Sequence, residues 1–540
     1  GLFVDPKAEE PITRIYQDFT GDRTAFEEHV YASKYDVLRY SLASEVNMLA
    51  RQLERIAGRS RLYRDFTLIS LTQALTETIA AFGVYRTYAR EGGPLDEEDE
   101  HRIREAVARA NDRSPALSPS LFAFIEDLLL LRDSSGTDEE RQARIRFALR
   151  FQQLTGPVMA KSVEDTAFYR YPRLLSLNEV GGDPARFGES IEAFHRQNFE
   201  RSRSWPLSMI ATSTHDAKRG IDAASRISVL SEMPEEFERA LRELSSLAEG
   251  SRVRVKGRPA PNRSLEYEFY QAVLGAWPFD WDGKSDRPVF VERMKEFMLK
   301  AVREAKRESS WTNPRHAYEE ALLRFVEATL SNEAFVVRMK ALCDDVATAG
   351  ATNALATCLL RLCSPGVPDT YQGGELWNQA LVDPDNRRPV DWERAAGLLA
   401  KTEAGLSDRR ALCRDLLETF TDGRIKQYLT LGALRLRVAR RELFLRGDYE
   451  ALPAGNEVVA FTRGWQDARI LCAVPRLSRA RTGDRGRFPL GKVWGSTIVR
   501  TGHPGRYDNV FTGAVLILGE EARAADLFAD FPVALLVRRT

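Results

Sequence analysis

The spacing of apolar residues predicts a chain that is helical over most of its length. Between Leu38 and Ile56, apolar side chains recur every three or four residues, which is the pattern of one face of an amphipathic helix. The same spacing continues in four more segments, at 68–82, 103–107, 121–131 and 138–154. Residues 30–155 are therefore predicted to form a helical subdomain. Residues 222–350 are predicted to be mostly helical as well, with a surface loop at 251–263.

The periodicity changes near residue 445. From there apolar and polar residues tend to alternate, which is typical of β-strands. The predicted strands, separated by Gly-rich turns, are 458–463, 468–474 and 532–538. The end of the chain is therefore predicted to be a small antiparallel β domain.

Three short apolar runs are each followed at once by clustered polar side chains. Met209–Ala211 precedes a cluster that holds His215 and Asp216, and candidate strands at 157–161 and 367–371 precede similar clusters. This pattern is typical of a parallel barrel, whose strands are apolar along their length and present reactive side chains at their C-terminal ends. Asp216 is therefore the candidate catalytic carboxylate. For an isolated His-Asp pair, a helix N-cap beside a structural histidine would explain the same residues.

Length and composition limit the class of protein. A chain of 540 residues is expected to form two to four domains. Lys+Arg and Asp+Glu both total 78, so no net charge favours nucleic acid, and no apolar run approaches the ~20 residues that span a bilayer. Five scattered cysteines without a Cys-x-x-Cys pair indicate reduced thiols in a cytoplasmic protein. The six histidines show no His-Glu-x-x-His spacing, so neither a metal site nor a cofactor is expected.

Several motifs together carry a resemblance to a known family. They are Gln153–Tyr171, Leu177–Pro184, Thr212–Arg219, Gly366–Trp377 and Asp383–Asp391. The strand-end clusters and the terminal β domain resemble an α-amylase-type glycoside hydrolase. The specific 153–184 block narrows the resemblance to the maltooligosyl trehalose synthase family, and it runs from the start of the chain to its end.

The resemblance implies an α/β fold with large helical insertions. It would combine the C-terminal portion of a (β/α)8 TIM barrel, about strands 6–8, with a helical subdomain and a C-terminal antiparallel β domain. The implied segments are a connector from a missing barrel portion (1–29), a helical insertion subdomain (30–155), barrel strands 6–7 with active-site loops (156–221), a second helical insertion (222–350), the end of the barrel with strand 8 and the following loop and helix (351–425), and the C-terminal β domain (426–540).

The resemblance also implies an isomerase of trehalose biosynthesis. The family converts the reducing-end α-1,4 linkage of a maltooligosaccharide into an α,α-1,1 linkage by intramolecular transglucosylation. In this retaining route a carboxylate attacks C1, and a second carboxyl group ~5 Å away transfers the proton. A third Asp hydrogen-bonds the distorted sugar as the oxocarbenium ion forms. Asp216 matches this transition-state stabiliser, and His215 matches its neighbour.

Further residues near the three predicted strand ends are candidate substrate contacts. Besides His215, they are Lys161, Glu164, Asp165, Phe168, Tyr169, Lys218, Arg219, Tyr371, Gln372, Arg387 and Arg388. A structural ion-pair network would explain several of these charges equally well. The paired arginines could contact sugar or could fix their loop through salt bridges.

The nucleophilic Asp and the acid/base Glu of the family have no counterpart in this sequence. They would lie in a segment before Gly1, and the chain lacks an initiator Met, so we expect a truncated chain that is inactive alone and lacks an N-terminal barrel segment. Glu164 and Asp165 are not expected to replace the pair, because adjacent residues of an extended segment point to opposite sides. Two alternatives remain open, namely a related α-glucan hydrolase and the non-catalytic glucan-binding half of a split enzyme.

Overall fold

A computed structural model describes residues 1–93, 95–132, 137–483 and 486–539. The chain divides into two compact units. The larger unit comprises Gly1–Asp22, Pro172–Ala301 and Pro314–Thr540, and the helical unit comprises Arg23–Tyr171 and Val302–Asn313.

The described part of the chain is mostly helical, with a β-sheet region at its C-terminal end. In chain order the α-helices are α1 (Glu9–Thr20), α2 (Phe26–Asp36), α3 (Ala43–Gly58), α4 (Leu68–Ala81), α5 (Glu97–Arg113), α6 (Pro119–Leu129), α7 (Asp138–Met159), α8 (Phe168–Arg170), α9 (Ile191–Ser204), α10 (Ile221–Ser228), α11 (Pro234–Leu247), α12 (Arg263–Ala276), α13 (Arg287–Ala305), α14 (His316–Ser331), α15 (Glu333–Cys363), α16 (Trp392–Ala404), α17 (Arg409–Glu418), α18 (Arg424–Ala439), α19 (Arg441–Arg446), α20 (Arg479–Thr482) and α21 (Ala524–Leu527).

The strands are short except in the C-terminal sheet. In chain order they are β1 (Met209–Ile210), β2 (Val253–Val255), β3 (Arg258–Ala260), β4 (Val367–Pro368), β5 (Glu450–Leu452), β6 (Val458–Trp465), β7 (Ala468–Pro475), β8 (Ile498–Arg500), β9 (Gly505–Asn509), β10 (Val515–Leu518), β11 (Glu521–Arg523) and β12 (Ala534–Arg538).

The helical unit is built as the apolar spacing predicts. Helices α3 to α7 bury the apolar stripes that include Leu49, Leu71, Ile103, Leu121 and Phe147 in one shared core. Helix α7 begins at a capping box, in which Thr137 accepts from the main-chain N–H of Glu140 while the Glu140 carboxylate accepts from that of Thr137. The predicted helices therefore exist because their apolar faces cover one another.

The predicted strand at 157–161 is wrong. Helix α7 continues through Pro157 to Met159 and passes directly into a π-helical segment, Ala160–Ala167. An apolar run of only a few residues cannot distinguish a strand from a buried helical turn by its period. In the structure Val158 and Val163 are both buried, so this segment packs against the interior as a helix.

The larger unit contains the other two predicted parallel strands. Strands β1 and β4 pair in parallel, with Met209 opposite Val367 and Ile210 opposite Pro368. Helix α15 leads into β4, and α10 follows the loop after β1. The predicted third strand at 367–371 is thus regular only over its first two residues.

Helix α15 passes through the interior of the larger unit. It is the one described helix that is long and apolar enough to cross a membrane by length and composition, but 89% of its most apolar window is buried inside the fold. Burial of this kind is typical of a core helix.

The predicted β domain is confirmed as a six-stranded antiparallel sheet in the order β10-β9-β12-β7-β6-β5. Both faces are covered along β6, where Val459 and Phe461 pack into the core shared with α15 and α18. Val458 and Ala460 face the opposite core, around Trp494. The predicted domain begins at residue 426, but the chain remains helical through α18 and α19, and the sheet begins at Glu450.

The predicted surface loop at 251–263 is instead a β-hairpin followed by the start of α12. Strands β2 and β3 pair with Val255 opposite Arg258. The two residues between them, Lys256 and Gly257, have positive φ values of 50° and 81°. Such a turn matches the twist of paired strands, but the sequence lacks the Asn-Gly or Asp-Gly pair that usually signals it.

Candidate functional site

The candidate site lies on the loop between β1 and α10, at the C-terminal end of a short parallel strand. Asp216 and His215 project from this loop with 64% and 65% of their side chains exposed. One Asp216 oxygen lies 3.2 Å from Nη2 of Arg387, and the other lies 3.3 Å from Nε2 of His215. We call these three residues the Asp216 cluster. It combines an accessible carboxylate with a cation and an imidazole, all able to hydrogen-bond hydroxyl groups.

The loop before α16 supports the main chain around Asp216. The side-chain amide nitrogen of Asn386 lies 3.2 Å from the carbonyl oxygen of His215 and 3.4 Å from that of Ala217. Arg387 donates to the same His215 carbonyl through Nε at 3.3 Å and Nη2 at 3.2 Å. Arg387 therefore binds both the carboxylate and the backbone of the loop, which fixes their relative positions.

Glu179 holds the other side of this loop. Its carboxylate accepts hydrogen bonds from the main-chain N–H groups of Lys218 at 2.7 Å, Arg219 at 3.3 Å and Val180 at 2.9 Å. Burial raises the pKa of Glu179, while the Arg219 guanidinium and the three N–H donors oppose that shift. The charge-assisted bonds attach the loop to the segment 175–182.

The side chain of Arg219 binds the segment 175–178. It is buried, and Nη1 donates to the main-chain carbonyl oxygens of Leu175 and of Asn178, the latter at 2.7 Å. Its predicted contact with substrate remains a prediction, but these bonds give the side chain a main-chain anchoring role. Lys218 is also buried.

The end of the loop is fixed by a close backbone approach. The N–H of Gly220 donates to the carbonyl oxygen of Ala380 at 2.7 Å, and a Cβ at position 220 would lie 2.3 Å from the carbonyl oxygen of Asn378. Only glycine fits at this distance. Two residues later, Asp222 accepts from the N–H of Asn378 at 2.6 Å and from the ammonium of Lys426.

The remaining predicted residues of the larger unit are Arg388, Tyr371 and Gln372. Arg388 pairs with Asp385 at 2.9 Å, and Asp385 also binds Arg293 at 2.9 Å. These arginines hold the pKa of Asp385 below its usual range against the effect of burial. Tyr371 lines a small cavity with Thr212 and Ser213, among others, and Gln372 is exposed.

The other five predicted residues belong to the helical unit. Glu164 is buried and accepts a hydrogen bond from the Tyr85 hydroxyl, while Lys161 is exposed. Phe168 and Tyr169 are buried, with the Phe168 ring stacked on Phe26 at 6.2 Å between centroids.

Asp165, like Glu164, lies in the π-helical segment rather than in an extended one. The expectation that the two side chains point to opposite sides of a strand is therefore wrong. The hydrogen bond between Glu164 and Tyr85 gives one of these carboxylates a partner inside the helical unit.

Known proteins match this chain over its whole length in both sequence and structure. No family model matches the chain. A protein named putative maltooligosyl trehalose synthase from Mycobacterium tuberculosis is 33% identical over 543 aligned residues, which cover 100% of this chain and 61% of that protein. The structure of maltooligosyltrehalose synthase from Arthrobacter ramosus matches with a TM-score of 0.80 and 35% identity, again over 100% of this chain and 62% of that one.

Along its whole length the chain is similar to maltooligosyl trehalose synthases. A further crystal structure of a maltooligosyl trehalose synthase matches at 28% identity with a TM-score of 0.72, over 100% of this chain and 61% of that one. The resemblance predicted from the sequence motifs is thus confirmed. The chain spans about three fifths of the length of these synthases.

Two residues that organise the site were missed by sequence reasoning. Asn386 lies within the 383–391 motif, but a single Asn in a turn-dense loop carries no signal for what it binds. Glu179 lies within the Leu177–Pro184 motif, 37 positions before Asp216. No local pattern relates such distant residues, because their hydrogen bonds depend on tertiary structure.

Proposed function

We propose that this chain contributes the Asp216 side of the active site of a maltooligosyl trehalose synthase. The reaction would convert the reducing-end α-1,4 linkage of a maltooligosaccharide into an α,α-1,1 linkage without net hydrolysis. The exposed Asp216–Arg387 pair at the end of β1 carries this proposal, together with the similarity to these synthases along the whole chain. Strands β1 and β4 would be neighbours in a (β/α)8 barrel of which this chain forms about strands 6–8.

In this proposal Asp216 stabilises the transition state. Its carboxylate accepts hydrogen bonds from hydroxyl groups of the sugar at the cleaved bond. Those bonds strengthen as positive charge develops at the anomeric carbon, so that the transition state gains more than the ground state. Arg387 keeps the carboxylate in one orientation, and His215 adds a second hydrogen-bonding group beside it. The nucleophile and the proton donor would come from another part of the complete enzyme.

The predicted surroundings of the site are part of the same proposal. His215, Arg387, Arg388, Tyr371 and Gln372 are proposed sugar contacts in the larger unit. The cytoplasm is the proposed compartment, since the five cysteines are buried and form no disulfide.

The test measures saccharide binding by the purified chain. Isothermal titration with maltopentaose would compare the unchanged chain with Asp216→Asn. The matched control is Asp508→Asn, because Asp508 is also an exposed carboxylate paired with an arginine, Arg539, at 2.7 Å. We expect Asp216→Asn to weaken binding by about tenfold or more, since a charge-assisted hydrogen bond contributes about 1.5–3 kcal/mol. Asp508→Asn should leave the affinity unchanged.

Product analysis on the same samples separates the alternatives. No turnover of maltopentaose is expected from the chain alone. Formation of a new 1,1 linkage would mean that the catalytic pair lies within these 540 residues. Release of free sugar without a 1,1 linkage would favour a hydrolase. Equal affinity of the unchanged chain and Asp216→Asn would contradict the proposed site.

A further inference from the structure

The loop that carries Asp216 has no regular secondary structure to hold it rigid. Between Ile210 and Ile221 the main chain forms turns and irregular backbone apart from one isolated β-bridge, between Arg219 and Leu381, and Asp216 itself is exposed. A transition-state stabiliser must nevertheless be held within a fraction of an ångström of its productive position. Some group beneath the loop must therefore fix the main chain.

Arg387 holds the loop on one side of Asp216, at the carbonyl of His215, and Glu179 is the charged group that holds it on the other side. Each of its two carboxylate oxygens accepts a hydrogen bond from a different residue of the loop. Oε1 accepts from the N–H of Lys218 at 2.7 Å, and Oε2 accepts from that of Arg219 at 3.3 Å. These donors are two and three residues after Asp216. Oε1 also accepts from the N–H of Val180 at 2.9 Å, which fixes the carboxylate relative to its own backbone.

The segment that carries Glu179 is itself anchored to the same loop. The Arg219 guanidinium returns to the carbonyl oxygens of Leu175 and Asn178, so the two segments are joined by bonds in both directions. The loop and segment 175–179 therefore act as one rigid support. Glu179 supplies the negative charge in this support, and the buried Arg219 supplies the positive one.

We propose that Glu179 is a positioning residue for Asp216, holding its loop in the geometry that binds a glucan. The glucan as ligand rests on the proposed function, but the role of Glu179 in holding the loop rests on the hydrogen bonds alone. Glu179 acts through the main chain of residues 218 and 219. It needs no contact with sugar.

The first measurement follows amide hydrogen exchange in the full chain. Glu179→Ala removes both acceptors, so exchange at the N–H groups of Lys218 and Arg219 should become about tenfold faster or more. Glu179→Gln keeps one acceptor oxygen and should give an intermediate rate. The matched control is Glu232→Gln, because Glu232, like Glu179, is a half-buried carboxylate, and it accepts the main-chain N–H of Arg479 at 2.9 Å instead of one in the Asp216 loop.

The second measurement is the affinity for maltopentaose. If Glu179 positions Asp216, Glu179→Ala should weaken binding about as much as Asp216→Asn, with Glu179→Gln recovering part of the loss. Glu232→Gln should change neither measurement. A melting curve of each variant identifies general unfolding, and the Gln variant supplies the answer if the Ala variant does not fold.

Each result has a definite meaning. Unchanged exchange at residues 218 and 219 in Glu179→Ala overturns the proposal. Faster exchange also overturns it if Asp216→Asn weakens binding and Glu179→Ala does not, because the loop would then be loosened without consequence. If Asp216→Asn itself has no effect on affinity, the proposed function fails, and the exchange rates alone decide whether Glu179 holds the loop.

Discussion

Lys426 and Asp222 form a nearly fully buried ion pair directly behind the candidate site. The Lys426 ammonium lies 2.8 Å and 3.0 Å from the two carboxylate oxygens of Asp222, and both side chains are at most 2% exposed. Asp222 is the second residue of α10 and Lys426 lies near the start of α18, so the pair joins the helix after the Asp216 loop to the helical layer beside the C-terminal sheet. Asp222 also accepts from the N–H of Asn378 at 2.6 Å.

We expect Asp222→Ala to lower the free energy of unfolding by about 3–5 kcal/mol, because it leaves the Lys426 charge buried without its counterion. Urea denaturation checks this value. A matched control is Asp344→Ala, which breaks the exposed pair that Lys340 and Asp344 form at 2.7 Å within α15. That change should cost at most about 1 kcal/mol. Equal costs for the two variants would contradict the importance of burial.

Arg387→Ala should weaken the binding of maltopentaose while changing the stability of the protein little. The Arg387–Asp216 pair is about half exposed on the arginine side, so its loss should change the unfolding free energy by no more than about 1 kcal/mol. Affinity for maltopentaose should nevertheless fall several-fold, because the Asp216 carboxylate and the His215 carbonyl both lose a donor. Arg539→Ala, which breaks the exposed pair with Asp508, is the control and should leave the affinity unchanged. Unaltered affinity in Arg387→Ala would exclude an orienting role.

Glu268 should make stability depend on pH in a predictable direction. It is fully buried on α12, and burial raises its pKa to about 8, with the nearby Arg219 acting in the opposite direction. In the unfolded chain its pKa is about 4.3. The folded protein therefore holds a proton that the unfolded chain has lost between these two values. The associated stabilisation is fully present below pH 4 and is lost as the pH rises toward 8.

The variant Glu268→Gln removes this titration. Relative to the unchanged chain, its melting temperature should therefore rise between pH 5 and pH 8, and calorimetry at several pH values checks the trend. Glu333→Gln is the control, because Glu333 is an exposed residue whose pKa is lowered by its hydrogen bond to Arg287. Its difference from the unchanged chain should stay constant over that range. A constant difference for Glu268→Gln would show that Glu268 is ionised throughout.

The five cysteines should be unreactive until the protein unfolds. All are buried and free of disulfides, and burial raises the pKa of Cys343 and of Cys413 to about 12. Because the thiolate is the reactive form, Ellman's reagent should label none of them rapidly in the folded chain and all five in guanidinium chloride. Rapid labelling of one thiol under native conditions would reveal local opening around that residue.

The order of helices and strands along the chain could be predicted because each element depends on local periodicity. The stripe through Leu49 and Leu53 is a helix in the structure, and the predicted strand at 458–463 lies within β6. The prediction failed where the apolar run was only a few residues long. The run at 157–161 is helical, since a few apolar residues fit a buried strand or a buried helix equally well until neighbouring residues pack against them.

Asp216, His215 and Arg387 could be selected from the sequence because reactive side chains follow an apolar run and match a family motif. The family resemblance, the mainly helical composition and the choice of Asp216, His215 and Arg387 as candidate site residues therefore follow from the sequence alone. In contrast, it takes the folded structure to show that Glu179 and Asn386 hold the loop and that Arg219 binds main-chain carbonyls. Each of these bonds joins residues 39 or more positions apart, so it exists only after the chain has folded and brought the groups that make it together.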